Sequence, residues 1–198
     1  MTIDLITALA VYAFVASITP GPNNTMLLAS GVKFGFRRSL PHMTGITVGF
    51  TVMLLVVGLG LGQIFARFPA IYTVLRYGGG AYMIYLAWKI ATAGPIEEGE
   101  RGAGPLNFLE AAAFQWVNPK AWMIGVTAMA AYTLPDQYLR SVALVSLVFA
   151  IVCLPSVSVW TLFGSALKRW LSDPKHLKLF NYAMGLALVL SLWPIIAE

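Results

Sequence analysis

An all-α, polytopic membrane protein is the fold class this sequence predicts, and three observations predict it. The 198 residues are 59% hydrophobic and 11% charged, with a mean hydropathy of +0.77, too apolar and too charge-poor for an ordinary soluble domain. Apolar runs fill almost the whole chain and read as six transmembrane helices, each long enough or nearly so for a hydrocarbon core that needs about 20 helical residues. The basic residues fall on alternate loops. With the N-terminus outside, Lys33, Arg37 and Arg38, then Lys89 and Arg101, then Lys168, Arg169, Lys175 and Lys178 are cytoplasmic, and only Arg67, Arg76 and Arg140 lie outside. This is the positive-inside pattern, so both termini are expected outside. The net charge of +5 needs no nucleic-acid partner, because the cations are scattered over loops rather than gathered on one face.

The first segment runs from Ile3 to Ala29 and is interrupted by Thr19-Pro20-Gly21-Pro22-Asn23-Asn24. Two prolines remove backbone donors and crowd the preceding turn, so the first helix is expected to be broken there. It follows Met1-Thr2-Ile3-Asp4 with no basic n-region, and does not read as a removable signal. A basic, glycine-punctuated turn precedes segment two, Pro41 to Ile64, where Gly45/Gly49 and Gly58/Gly62 have the spacing that lets helix backbones approach closely. Segment three, Ala70 to Ala91, ends at the interface anchors Trp88 and Lys89. The hydrophilic linker, about 92–107, divides a single membrane domain, 1–198, into halves of about 1–95 and 106–198.

Segment four, Phe108 to Tyr132, is interrupted again at Asn118-Pro119-Lys120, so the fourth helix is also expected to be broken. Segment five, Ser141 to Leu167, carries Pro155 and is expected to kink, and segment six runs from Leu177 to Ile196. Tyr77, Gly80 and Trp88 superpose on Tyr182, Gly185 and Trp193 at one constant offset. A half containing three spans must insert upside down relative to the other, which predicts two inverted three-helix repeats.

Paired interruptions in corresponding segments of two halves point to a transporter's binding site. Broken backbone at membrane depth survives only where protein or a water-filled cavity satisfies it. The candidate substrate-binding residues are therefore Pro20, Gly21, Pro22, Asn23 and Asn24 from the first break, with Trp116, Asn118, Pro119 and Trp122 from the second. A half-helix N-terminus favours a carboxylate, and freed carbonyls suit an ammonium group. A zwitterionic amino acid carries both. Lys120, the one ionisable residue deep in a span, is assigned to proton coupling or carboxylate binding. The competing readings are proline kinks that only aid packing, asparagines that cap helices, a lysine that snorkels to an interface, and tryptophans that fill the core. Glu110 and Arg76 lie near span ends and read as interface residues.

Other classes lack their residues. His42 and His176 stand near loop edges and too far apart to suggest a metal pair, and Ser156 and Ser158 have no companion histidine in their segment. Cys153 is the only cysteine, which excludes an intrachain disulfide or a thiolate pair. The chain is read as no enzyme, with no metal and no cofactor.

At Ser17-Ile18-Thr19-Pro20-Gly21-Pro22-Asn23-Asn24, followed by Gly31, Gly35, Arg37 and Gly45, and at Asn118-Pro119-Lys120, the sequence resembles the LysE/RhtB amino-acid exporter superfamily across its whole length. Ala87-Trp88-Lys89-Ile90-Ala91-Thr92 and Gly125-Val126-Thr127-Ala128 are most similar to its cysteine/O-acetylserine exporter branch. The resemblance implies a multi-pass protein of the bacterial inner membrane that exports amino acids or their derivatives, driven by the proton gradient. Some members place an aspartate in the fifth span, where this chain has Cys153-Leu154-Pro155-Ser156. That departure weakens the case for a cationic substrate. The expected function is thus secondary active export of small neutral amino acids or their derivatives. The alternatives are export of cationic amino acids or another small metabolite, or of a small ion. Expected partners are the substrate, protons and membrane lipids, and a homo-oligomer is left open.

Overall fold

The computed structural model describes residues 1–61, 69–92 and 104–190. These residues form eight α-helices joined by short turns, and no strand occurs among them. Helix α1 (Ile3–Ile18) starts at Thr2, whose hydroxyl accepts from the Leu5 amide at 3.3 Å. It stops where Thr19 turns extended ahead of Pro20, and α2 (Pro22–Phe34) resumes with proline at its first position. The two helices meet at 55°, so the first break is present as the sequence predicts. Gly35, at φ 78°, closes α2 in the left-handed region that glycine tolerates.

A 3₁₀ turn, Arg37–Ser39, leads into α3 (Leu40–Val56), which ends in a π turn, Val57–Leu61, around Gly60 at φ 128°. Helix α4 is Pro69–Ala91. Helix α5 (Phe108–Phe114) opens with a capping box in which Asn107 and Glu110 exchange side-chain and backbone hydrogen bonds, both 2.9 Å. A 3₁₀ turn, Gln115–Val117, and the extended Asn118 separate it from α6 (Pro119–Tyr132), so the second break is present too. Helix α7 (Tyr138–Leu167) is one continuous 30-residue helix that carries Pro155 in its interior. Helix α8 is Pro174–Leu190.

Two of these stretches, Arg37–Gly60 and Pro135–Leu167, are long and apolar enough to cross a membrane, and α1 with α2 makes a third if the bent pair is one span. Helix α7 is apolar outside as well as inside. Leu147, Ile151, Val159, Leu162 and Phe163 are more than half exposed, while Val145, Phe149 and Val157 are buried. A helix hydrophobic all round belongs in a core or a bilayer. The expectations that rest on Gly62, Arg67, Arg101, Trp193, the Arg76 side chain and linker residues 93–103 lie outside the described residues.

The long helix α7 packs along both α1 and α2, α3 lies between α5 and α7, and α4 pairs with α8. Glycine permits the closest of these approaches. A Cβ on Gly31 of α2 would strike the Thr161 carbonyl of α7, and one on Gly164 of α7 would strike the Leu28 carbonyl of α2. On α3, a Cβ at Gly49 would come within 2.5 Å of the Ala112 Cα of α5. The predicted packing role of Gly45 and Gly49 is thus met by α5. The main core gathers Leu9, Phe50, Met53, Trp122, Val145 and Phe149, with Phe149 edge-on to Tyr12 and Phe50.

Candidate functional site

Breaking a helix frees carbonyls at the end of its first half and amides at the start of its second, and each buried group needs a partner. At the first break the carbonyls can be followed one by one. Val15 accepts from the Thr19 amide, and Ala16 from the Thr19 hydroxyl at 3.2 Å. Ser17 and Thr19 both accept from the Asn24 side-chain amide, each at 2.8 Å. Ile18 accepts from the Trp160 indole of α7 at 3.0 Å. The Lys120 ammonium donates to the Thr19 carbonyl at 3.0 Å, the Thr19 hydroxyl at 2.9 Å and the Pro20 carbonyl at 3.0 Å. An ammonium has three hydrogens, and three oxygens hold them. It also lies at the C-terminal end of α1, where the helix dipole favours a cation.

Lys120 belongs to the second break, so this contact ties the two breaks together. A second tie lies beside it. Asn23 and Gln115 exchange side-chain amides at 2.8 and 3.1 Å, and Gln115 donates further to the Ala111 carbonyl at 3.0 Å. Asn118 caps α6: its side-chain oxygen accepts from the Lys120 amide at 3.1 Å, and its carbonyl accepts from the amides of Ala121 and Trp122. The N-terminus of α6 is therefore satisfied by its own cap. That of α2 is different. Its first residue is proline and its cap, Gly21, has no side chain to accept, so the amides of Asn23 and Asn24 come too early for an intrahelical acceptor.

A cavity of about 40 Å³ lies at this junction, lined by Gly21, Pro22, Asn23, Asn24, Asn118 and Lys120. Its apolar side is made by Ile46 and Phe50 of α3, Ala121 and Ile124 of α6, and Cys153 and Val157 of α7. None of its lining residues is Asp or Glu. The space has room for a few water molecules and is too small for a solute of amino-acid size. Among the described residues, no three His, Cys, Asp or Glu side chains gather as a metal site would require.

Of the residues singled out from sequence, six line the cavity. Pro20 contributes its carbonyl through Lys120, and Pro119 is buried at the start of α6. Trp116 and Trp122 are not among its lining residues and take the competing reading, core packing. Their rings meet edge-on at 5.9 Å, and the Trp122 indole donates to the Trp116 carbonyl at 2.9 Å, inside the main core. A buried indole N–H needs an acceptor, and this one finds it within the turn rather than at the cavity. Sequence reading missed Gln115, fully buried, and Trp160. A glutamine inside an apolar run three residues before Asn118 was a usable signal. Nothing local marked Trp160.

Residues 14–191 match the LysE type translocator family. The chain belongs to that family. It is a multi-pass membrane transporter rather than an enzyme. Over 171 residues it is 37% identical to the cysteine/O-acetylserine efflux proteins of Escherichia coli (strain K12) and Shigella sonnei (strain Ss046), across 85% of this chain and 87% of each relative. No solved structure matches it.

Proposed function

We propose that this translocator is a secondary active exporter of small neutral amino acids or their derivatives, driven by the proton gradient across a bacterial inner membrane. The observation that carries the reading is the junction of the two breaks at one small cavity through the Lys120 cage and the Asn23–Gln115 pair. The similarity to proteins named for cysteine and O-acetylserine efflux supports an amino-acid substrate. The absence of Asp and Glu from the cavity lining supports a neutral side chain on it.

The geometry supports one assignment of the two ends of a zwitterion. The carboxylate takes the early amides of α2, at Asn23 and Asn24, where the positive end of the helix dipole points. The ammonium takes the oxygens of Thr19 and Pro20. Those oxygens are held by the Lys120 ammonium in this conformation, so substrate and Lys120 compete for them. A neutral amine has two hydrogens for three oxygens. Loss of a proton from Lys120 therefore loosens the cage, and this links proton occupancy to substrate occupancy.

Around this site we place six spans in two inverted halves, about 1–95 and 106–198, with both termini outside. Part of the packing supports it: α1 on α7 is matched by α5 on α3, and α3 with α7 and α4 with α8 are pairs that an exchange of halves leaves in place, although the extensive packing of α2 on α7 has only a slight counterpart in α6 on α3. The test is uptake of labelled amino acids into everted membrane vesicles, with and without a proton gradient. Gradient-dependent uptake of small neutral amino acids is expected. Preference for lysine or arginine, or uptake indifferent to the gradient, overturns the substrate or the coupling respectively.

A further inference from the structure

A second cavity, of about 260 Å³, opens between α2, α3, α4 and α8, at the end of the molecule that carries the cations of the first loop. Three of its features do not belong to the site between the breaks. Lys33, in the last turn of α2, and Lys89, in the last turn of α4, stand at it, with no carboxylate among its described lining residues. Lys33 is half-buried and Lys89 exposed, which puts the charges at the mouth. His42 of α3 lines it, only 2% exposed, and among the described residues its Nδ1 is buried without a hydrogen-bond partner. A buried polar atom left unpaired costs roughly 1–3 kcal/mol, so a hydrogen-bonding ligand is favoured there. The remaining wall is largely apolar, from Met26, Leu86, Ile90, Leu106, Leu177 and Phe180.

Cations at the mouth, a lone imidazole nitrogen and apolar walls match an amphiphile with an anionic head. Among the described residues the lining offers no carboxylate to receive the ammonium of a zwitterionic amino acid. Basic pockets between transmembrane helices on the cytoplasmic side are known to take anionic lipid headgroups, and the lipid is always at hand. We propose that this cavity binds the headgroup of an anionic phospholipid. Lys33 and Lys89 neutralise the phosphate, His42 donates from Nδ1 to a phosphate or ester oxygen, and the apolar wall takes the first carbons of an acyl chain. The proposal does not depend on the substrate or the coupling assigned above.

The experiment uses the full-length protein purified in a neutral detergent, with bound lipid counted by native mass spectrometry and thermal unfolding measured alongside. Phosphatidylglycerol, phosphatidylethanolamine and inorganic phosphate are added separately. Phosphatidylglycerol is expected to remain as one retained molecule and to raise the unfolding temperature, and phosphatidylethanolamine to do neither. Lys33→Gln and Lys89→Gln are each expected to weaken phosphatidylglycerol binding about five-fold, and both together roughly 25-fold. His42→Gln should weaken it as well, while Lys120→Met should leave it unchanged. Both lysines are at the surface of the cavity, so the double variant reports even if His42→Gln fails to fold. Equal retention of the two lipids, or undiminished phosphatidylglycerol binding by the double lysine variant, overturns the site. A phosphate-induced shift equal to that of phosphatidylglycerol assigns it to a free anion and overturns the lipid.

Discussion

Replacing Lys120 with methionine removes the charge and the three donors and leaves a stem of similar bulk, and its effects can be worked out oxygen by oxygen. The Thr19 carbonyl keeps the Asn24 amide at 2.8 Å, and the Thr19 hydroxyl keeps its own bond to Ala16 at 3.2 Å. Only the Pro20 carbonyl loses its partner. The folding cost is then about 1–3 kcal/mol, that of one acceptor left without a donor, and the variant is expected to fold. Substrate binding changes in the other direction. On the proposed assignment an incoming ammonium must first displace Lys120, and one charge-assisted hydrogen bond is worth about 1.5 kcal/mol net, or roughly tenfold in affinity. Lys120→Met is therefore expected to bind small neutral amino acids about tenfold more tightly, by calorimetry on the purified protein, and to lose gradient-driven export in vesicles. N-acetylated amino acids, which carry no ammonium, should gain nothing. Lys120→Arg keeps a cation on the oxygens that is not shed, so it should gain no affinity and also lose coupled export. A folded Lys120→Met with unchanged or weaker binding, or an equal gain for the N-acetylated ligand, refutes the competition.

Three further outcomes are expected. Asn23→Ala and Gln115→Ala each orphan an amide and should destabilise by about 1–3 kcal/mol, while the double variant costs less than their sum, by denaturant unfolding in detergent; strict additivity would show that the pair is not coupled. Gly31→Ala pushes a methyl into the Thr161 carbonyl and should lower stability by about 1–3 kcal/mol or more, whereas the exposed Ala130→Ser on α6 should leave the same thermal midpoint within error. Cys153, the only cysteine and part of the cavity lining, should react with a small maleimide only slowly, and more slowly still with saturating substrate; labelling that ignores the true substrate places the binding site elsewhere.

The breaks were legible because proline and glycine chemistry is local. Two prolines around Gly21 and one after Asn118 dictate lost donors wherever they sit, and the helices stop there. The capping role of the asparagines was also within reach, since Asn118 reaches only two residues forward and Asn24 seven residues back. What sequence did not disclose is which atoms meet across long separations. Lys120 to Thr19, Gln115 to Asn23 and Trp160 to Ile18 join residues 101, 92 and 142 positions apart, and no local pattern chooses among them. Lys120 illustrates the gap: its burial was anticipated from its place in an apolar run, but not that oxygens of the opposite break would hold it. The tryptophans beside the second break stayed open between cavity wall and core for a related reason. Nearness in sequence to a break does not say which side of the turn a ring occupies.

Helix α7 lies along both arms of the bent first span, and it grips them by different means. Against α2 the closest contact is backbone on backbone at Gly31 and Gly164, and the Ser165 hydroxyl adds a bond to the Gly31 carbonyl at 3.3 Å. Against α1 it is made by side chains: the Trp160 indole on the Ile18 carbonyl, and Phe149 edge-on to Tyr12. The helix works as a splint, clamped on one arm and padded on the other. Any change in the 55° angle must slide the splint past an arm, and the padded one yields first. Aromatic side chains can swivel to new rotamers within the bilayer, but an interlocked pair of helix backbones has to separate before it can shift. Bending at the break is therefore expected to shift α1 along α7 before it separates α2 from α7.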